Sequence, residues 1–322
     1  MNQASFVDAF LPPEFGRNSR LEKIAGFIDW TAIERLLKGL HSSEQGRPPY
    51  AALAMFKALL LQQWYGLSDP ALEEALWDRV SFRRFCGFAL DQSSPDETTL
   101  CRFRNALKDA ELGDVLFVEI NRQIDVAGFI VREGTLIDAT LIASAVRKPP
   151  DHSTPKHVES SAPLDADANW TRAGRNRSLF FGYKAHIGMD QGSGVIRSRR
   201  LTGAKTYESL VADELIMGDE KAVYADKAYE KKERRAALKA SGTKDRIQHR
   251  RHKHQLRLPH WQSVRNKLIG NIRTAIERVF SVFKGTYNMR RMRYRGLQAN
   301  ALHLDLVILA YNLNRCAALV GS

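Results

Sequence analysis

Apolar residues follow a helical spacing through the first 128 residues of the chain. The spacing predicts helices over 29–37, 49–64, 69–80 and 111–127, and one more that begins within 94–99. Gly128 follows the last of these and ends it, because glycine readily adopts the backbone conformation that closes a helix. We therefore predict an all-helical domain over residues 1–128.

After Gly128 the spacing becomes that of strands alternating with helices. Strands are predicted over 135–143, 180–189, 195–202, 221–225 and 246–248, and helices over 209–217, from 229, over 263–283 and over 298–318. A polar segment over 149–177 is predicted as a loop. Three antiparallel strands, then helix, strand, helix, strand and closing helices, is the order of an RNase H-like domain. We therefore predict an α/β fold over residues 129–322, with an RNase H-like catalytic core of a mixed sheet flanked by helices.

The net charge of +13 is concentrated in one part of the chain. Residues 229–295 contain 20 Lys and Arg against four acids. Such a surface favours a polyanionic partner, because each basic side chain that pairs with a phosphate releases counterions. A solvated face of a soluble protein is the alternative. Aromatic residues lie among these charges, which indicates a folded surface and makes nucleic acid the leading partner.

Secretion and membrane association are not favoured by the sequence. The first 30 residues lack a signal-peptide pattern, and charged residues interrupt the most apolar stretches. The three cysteines are an odd number without CxxC spacing, so neither a disulfide framework nor a zinc site is expected. A reducing cytoplasm is the expected location, and no membrane partner is predicted.

Two aspartates occupy positions that are awkward for a structural role. Asp138 lies in the middle of the strand predicted over 135–143, where a buried charge must be paired or bound to metal. Asp226 follows the strand over 221–225, and the carboxyl ends of strands in α/β sheets are where ligands bind. An Asp at that position is also a common helix cap.

A third acid, Glu277, lies alone in a strongly basic helix. At 100° per residue, Arg273, Glu277 and Lys284 share one helical face. A local Arg273–Glu277 ion pair is the alternative explanation. Three acids in this order, beside a basic surface, favour a site for two Mg²⁺ or Mn²⁺ ions roughly 3.5–4 Å apart that acts on phosphodiesters.

The chain resembles bacterial insertion-sequence transposases of the DDE type, most closely the insertion-sequence-five family. Six segments carry the resemblance in order: PDETTL (95–100), GTLIDAT (134–140), FGYKAHIG (181–188), YADKAY (224–229), RYRGL (293–297) and AYNLNR (310–315). The family signature places Tyr, Arg, Glu and Lys at fixed spacing. Arg273, Glu277 and Lys284 match its last three positions, while Gly270 replaces the Tyr.

The resemblance implies metal-dependent cleavage at the ends of an insertion sequence and strand transfer into target DNA. It implies that Asp138, Asp226 and Glu277 are catalytic and bind Mg²⁺ or Mn²⁺, two ions in all. The helical domain would bind DNA and dimerise, with terminal inverted repeats and target DNA as partners and a homodimer or larger assembly on DNA, close to the bacterial nucleoid. The predicted DNA contacts are Arg102, Arg104, Lys184, His186, Lys227, Arg273, Lys284, Arg293 and Arg295.

Two other functions remain open at this point. A metal-dependent DNA nuclease that cuts without joining would need the same three acids. A non-catalytic DNA-binding relative would be expected to have lost one or more of them, and all three are present. Basic residues on the helix after 94–99 are compatible with a helix-turn-helix DNA reader and equally with an all-α packing domain.

Overall fold

Contacts between residues divide the chain into two units. The structure is a computed structural model that describes residues 12, 14–40, 50–146, 165–174, 176, 178–251 and 255–320. The first unit comprises residues 1–129 together with 305–322, and the second comprises residues 130–304.

Helices form the first unit. Within the described residues before 130 they are α1 (Ser19–Phe27), α2 (Trp30–Leu37), α3 (Ala52–Tyr65), α4 (Asp69–Asp78), α5 (Val80–Cys86), α6 (Glu97–Asp109) and α7 (Leu112–Val126). Local chemistry fixes several of the boundaries. The carboxylate of Asp29 accepts hydrogen bonds from the first backbone N–H groups of α2, and Asp96 caps α6 in the same way. Gly128, with φ +79°, follows α7.

A mixed six-stranded sheet forms the second unit. Its strands are β1 (Thr135–Ala143), β2 (Asn169–Ala173), β3 (Ser178–Asp190), β4 (Ile196–Gly203), β5 (Ala222–Ala225) and β6 (Lys244–Ile247). The spatial order is β2-β3-β1-β5-β6, and β4 also pairs with β3. β3 is antiparallel to β1, whereas β5 is parallel to β1 and β6 is parallel to β5.

One observed strand differs from the sequence prediction. β2 lies inside the segment 149–177 that was predicted as a loop, and it forms because the first part of β3 supplies backbone partners for it. Most of the remainder of that predicted loop lies outside the described residues.

Helices flank this sheet: α8 (Glu208–Val211), α9 (Lys232–Ala240), α10 (His260–Gly285) and the first part of α11 (Leu297–Leu319). The helix predicted over 209–217 is instead the short α8 followed by a 3₁₀ turn over Ala212–Leu215. The helix predicted from 229 begins later, at Lys232, because Asp226 caps a separate 3₁₀ turn over Lys227–Tyr229.

The end of α11 belongs to the first unit, although the sequence prediction placed it in the second domain. From Asp305 onward the helix is grouped with the amino-terminal helices. The indole N–H of Trp64 donates to the carbonyl of Ala310 at 2.7 Å, and Asn312 donates to Asn121 at 3.0 Å. Within the described part of the chain, none of the helices is both long and apolar enough to cross a membrane.

Candidate active site

Asp138 is a partly buried carboxylate on the central strand β1. Its side chain is 19% exposed, and one oxygen accepts a hydrogen bond from the backbone N–H of Ala139 at 2.9 Å. The other oxygen, Oδ2, accepts from Nη2 of Arg273 at 2.8 Å. Burial raises the pKa of Asp138 to about 6, against the lowering effect of Arg273, and the charges of Asp226 and Glu208 also raise it. Asp138 therefore lies among other acids, with one cation beside it.

The strand pairing brings Asp226 to the level of Asp138. Leu136 of β1 lies opposite Tyr224 of the parallel strand β5, so the residues two positions further along are Asp138 and Asp226. One oxygen of Asp226 accepts a hydrogen bond from the N–H of Ala228 at 2.7 Å. Asp226 thus caps the following turn and also supplies a second carboxylate beside the first.

Helix α10 packs against β1 and β5 and provides the cation that pairs with Asp138. The side chain of Arg273 is only 10% exposed, because it is enclosed at this contact. Glu277 lies one turn further along the same helical face, about 6 Å along the axis, and is exposed. The structure therefore joins Arg273 to Asp138, in place of the local pair with Glu277 considered from the sequence.

The strand pairing brings two of the three predicted acids to neighbouring positions, and the third, Glu277, lies one helical turn after Arg273. Among the described residues, no group of three or more His, Cys, Asp or Glu side chains is arranged to hold a metal ion. Asp138 and Asp226 follow the paired positions of β1 and β5, and Glu277 lies after Arg273 on the helix that contacts both strands. The structure therefore places two of the predicted ligands on neighbouring positions of the sheet and does not bring Glu277 to them.

Four of the predicted DNA contacts in this unit are accessible to different degrees. Lys227, next to Asp226, and Arg295 are exposed, whereas Arg293 and Lys284 are half-buried. Burial lowers the pKa of Lys284, and the nearby charge of Arg290 lowers it further. These side chains leave cationic groups on the surface of the second unit.

His186 has a role inside the sheet in place of the predicted DNA contact. The imidazole is fully buried, and its Nε2 lies 3.0 Å from Oγ1 of Thr202. Burial, together with the charges of Lys184 and Arg200, lowers its pKa to about 3. The ring is therefore neutral near pH 7 and is enclosed, so that it cannot approach a phosphate.

Lys184 is also engaged within the protein. Its Nζ donates to the carbonyl of Thr206 at 2.9 Å and forms an ion pair with Glu208 at 3.2 Å. Only 12% of its side chain is exposed. The predicted phosphate contact would therefore require Lys184 to leave two partners.

In the first unit, only one of the two predicted arginines is on the surface. Arg102 is exposed on α6, whereas Arg104 has 6% of its side chain exposed and is ion-paired with Asp69 of α4. Arg104 holds two helices together, because a buried guanidinium needs a carboxylate partner. This contact replaces the DNA contact predicted for Arg104.

Sequence reasoning missed two residues near Asp138. The hydroxyl of Tyr229 is fully buried and has no hydrogen-bond partner among the described residues. Burial raises its pKa, and the charges of Asp138, Glu208 and Asp226 raise it further. Tyr229 is the last residue of the YADKAY segment, so the family resemblance of that segment could have pointed to it. Glu208 follows the third antiparallel strand without any motif that distinguishes it.

Comparison with known families decides the class of the protein. Residues 131–313, more than half of the chain, match the family described as a transposase DDE domain. The chain belongs to the DDE transposase family. It is thus a DNA transposase, and the matched residues include both aspartates, Arg273 and Glu277. Residues 10–106 of this transposase match a second family, described as transposase domain DUF772.

Two solved transposase structures are similar to this one at low sequence identity. The first is a piggyBac transposase synaptic complex with hairpin DNA, with a TM-score of 0.46 and 11% identity over 95% of this chain and 73% of that chain. The second is a pre-cleavage Mos1 transpososome, with a TM-score of 0.20 and 11% identity over 88% of this chain and 82% of that chain.

Proposed function

We propose that this transposase belongs to the insertion-sequence-five family and that Asp138, Asp226 and Glu277 carry its catalysis. It would cut DNA at the ends of an insertion sequence and join those ends to target DNA. The observation that carries the proposal is the pairing of β1 with β5. It sets Asp138 and Asp226 side by side on one face, while Arg273 ties the Glu277 helix to Asp138.

The strand order supports an RNase H-like core. β4, β3 and β1 form three neighbouring antiparallel strands, and β5 and β6 extend the sheet in parallel from β1. The acids then fall on the central strand, on its parallel neighbour and on a helix that packs against both. Ligands bind at such positions in open α/β sheets.

The donor chemistry fits a hard divalent cation. The charge of Asp226 raises the pKa of Asp138, and a cation bound between the two carboxylates would offset that repulsion. Carboxylate oxygens are the ligands that Mg²⁺ and Mn²⁺ favour. Asp138, Asp226 and Glu277 would hold two ions once Glu277 is brought to the aspartates, since the described residues contain no ready group of three ligands, and the ions would activate the attacking oxygen and stabilise the leaving oxygen of a phosphodiester.

The other residues of the site orient these acids and hold the DNA. Arg273 fixes the orientation of the Asp138 carboxylate and compensates part of its charge, so it is a positioning residue. Lys227, Lys284, Arg293 and Arg295 would pair with phosphates, because cations beside the acids draw the DNA strand to them. No side chain of the protein needs to form a covalent bond with the DNA.

The helical unit would supply part of the recognition of the element's ends. Arg102 is its exposed predicted contact, and the unit includes residues 305–322 in addition to the amino-terminal helices. We further propose that the transposase works as a dimer or larger assembly on DNA in the bacterial cytoplasm. Two element ends must be brought together before both are joined to one target.

A product assay tests the proposed activity. The purified protein is incubated with labelled DNA of its own element's end, a target plasmid and Mg²⁺. We expect both cut ends and products joined to the plasmid, and neither with Asp226→Asn, while this variant still binds the end DNA. Cutting without joining would identify the nuclease alternative. Cutting by the Asp226→Asn variant at the wild-type rate would remove this residue from the mechanism.

A further inference from the structure

Three large apolar side chains near the start of α10 are exposed. Trp261 is 59% exposed, Val264 44% and Leu268 61%. At 100° per residue they lie within about 60° of one another, so they form a single stripe along the helix, here called the α10 stripe. Further along the same side of α10, Val279 and Phe283 are buried. The apolar side of α10 therefore extends beyond the part that is packed in the core, and its first turns remain on the surface.

The indole of Trp261 is held in place by a neighbouring ring. The imidazole of His249 contacts it edge-to-face, with the ring centroids 5.2 Å apart and the ring planes at 79°. His249 is itself fixed to α10, because its backbone N–H donates to Oδ1 of Asn266 at 2.8 Å and its carbonyl accepts from Nδ2 of Asn266 at 3.0 Å. The exposed indole is therefore ordered before a partner arrives, which lowers the entropic cost of binding.

The segment that carries the α10 stripe is strongly basic. Residues 246–272 include seven Lys and Arg and neither Asp nor Glu. In the described part of this segment, the exposed cations are Arg250, Arg251, Arg257 and Lys267. Glu230 and Asp245 accept hydrogen bonds from its backbone, and both carboxylates are already paired with Arg235. The surface around Trp261 therefore favours an anionic partner.

The apolar and the charged features together indicate which anionic partner fits. An aromatic ring among cations binds unpaired nucleic-acid strands, because a base stacks on the ring while the cations hold the phosphates. A double helix would leave the indole without a role, since its bases are already paired and stacked on one another. A second copy of this chain would place the same surplus of positive charge against itself.

We propose that the α10 stripe binds an unpaired DNA strand, with one base stacked on the indole of Trp261. This inference rests on the proposed function, because α10 also carries Arg273 to Asp138. Trp261 and Arg273 are about 18 Å apart along the helix axis. A stacked strand rises about 3.4 Å per nucleotide, so the stacked base lies about five nucleotides from the phosphate at Asp138.

Binding of oligo(dT) to the full-length protein without divalent metal tests the inference. Fluorescence anisotropy is recorded with a labelled oligo(dT) strand of about 20 nucleotides and with a duplex of the same length. We expect roughly tenfold weaker oligo(dT) binding for Trp261→Leu, which keeps an apolar side chain but removes the ring, and little change for Trp261→Phe. Duplex binding should change by less than about twofold in both variants, since phosphate contacts dominate it.

Trp77→Leu is the matched control. Trp77 is 55% exposed and also has a cation beside its ring, with the guanidinium of Arg83 5.6 Å from the ring centroid, but it lies on α4 of the helical unit. This variant should bind oligo(dT) like wild type. An equal loss in Trp77→Leu and Trp261→Leu would show a general effect of exposed tryptophans and overturn the inference.

Quenching of 2-aminopurine locates the stacked base. This fluorescent base is placed at successive positions of an end DNA in which one strand near the cut site is left unpaired. With wild type we expect quenching about five nucleotides from the cut, and with Trp261→Leu we expect none at that position. Equal quenching by both proteins would place a different group against the base and overturn the inference.

The outcomes separate this inference from the proposed function. If wild type cuts and joins its end DNA while Trp261→Leu binds oligo(dT) as well as wild type does, only the inference is overturned. If wild type binds neither the duplex nor oligo(dT), the proposed function is wrong and the inference falls with it.

Two further measurements test other occupants of the α10 stripe. Sedimentation gives the mass of each variant in solution, and vesicles that contain phosphatidylserine report membrane binding. The inference is overturned if Trp261→Leu dissociates a dimer or lowers vesicle binding while oligo(dT) binding is unchanged. Circular dichroism checks that each variant is folded, and Trp261→Met, which also lacks a ring, replaces Trp261→Leu if the leucine variant does not fold.

Discussion

Two aspartates on the same pair of strands have opposite surroundings. Asp190 ends β3 and is fully buried. Its oxygens accept hydrogen bonds from the backbone N–H groups of Val131, Arg132 and Ser193 and from the Ser193 hydroxyl at 2.7 Å. Every one of these donors is neutral and fixed by the backbone or by a short side chain. Asp190 is therefore a structural part of the turn between β3 and β4.

Asp138, three positions along β1 from the residue opposite Asp190, has few fixed donors. It accepts from one backbone N–H and from the guanidinium of Arg273, and two other acids raise its pKa. Asp190 is fully buried, whereas 19% of the Asp138 side chain is exposed. The main difference is in the groups around each carboxylate. Neutral donors bind the oxygens of Asp190, whereas a guanidinium and other acids lie around Asp138.

The largest effect that this comparison predicts is on catalysis. Asp138→Asn keeps the size of the side chain but removes the charge, so cleavage and joining of end DNA should fall by about 1,000-fold or more. Binding of the same DNA should change little, because phosphate contacts by Lys and Arg dominate it. Rates are measured with labelled end DNA in Mg²⁺, and a variant that retains more than a tenth of the activity would contradict the assignment.

The second effect is on stability. Asp190→Ala leaves several buried donors without an acceptor, so the free energy of unfolding should fall by roughly 3 kcal/mol or more in urea titrations. Asp190→Asn is the milder variant for the case in which alanine prevents folding. The comparison breaks down if Asp190→Ala unfolds at the same urea concentration as wild type.

A smaller effect is on how the free energy of unfolding depends on pH. It concerns His186, another buried group without a proposed part in catalysis. Its native pKa of about 3 lies below the unfolded value of 6.5, so below pH 6.5 the unfolded state binds a proton that the native state does not. His186 therefore costs stability increasingly as pH falls from 6.5 towards 3, by about 2 kcal/mol at pH 5.

Asp138 acts in the opposite direction, because its raised native pKa stabilises the fold as pH falls through 6. The two contributions are separated by comparing wild type with His186→Gln, which can keep a hydrogen bond to Thr202. From pH 7 to pH 5, the unfolding free energy of wild type should fall relative to that of His186→Gln. A constant difference between the two would show that the imidazole is not held neutral.

The smallest effect is on DNA affinity. Lys284→Ala should weaken binding to end DNA a few-fold and lower the salt dependence by about one phosphate contact. Lys221→Ala is the matched control, because Lys221 precedes β5 at the end away from Asp226 and is already paired with Glu133 at 2.6 Å. Equal salt slopes for the two variants would leave Lys284 as an ordinary helix-surface residue.

The sequence predicts the local secondary structure of this molecule better than it predicts which side chains far apart in the sequence pair with each other. Apolar periodicity predicts the strands at β1 and β3 and the long helix α10, and it places Asp138 within one strand and Asp226 directly after another. Periodicity cannot tell a surface cation from a buried one. Arg104 is paired with Asp69, 35 positions earlier, and Arg273 with Asp138, 135 positions earlier. Such partners become known only once the chain is folded.

The division of the chain into two units also determines which unit can be completed first during translation. The helical unit lacks its last helix until residues 305–322 have left the ribosome, because the carbonyl that accepts from Trp64 and the amide that donates to Asn121 lie there. The sheet unit is encoded between the two parts. A nascent chain that contains every residue of the helical unit therefore also contains Asp138, Asp226 and Glu277. Incomplete translation does not yield a complete helical unit as a separate product.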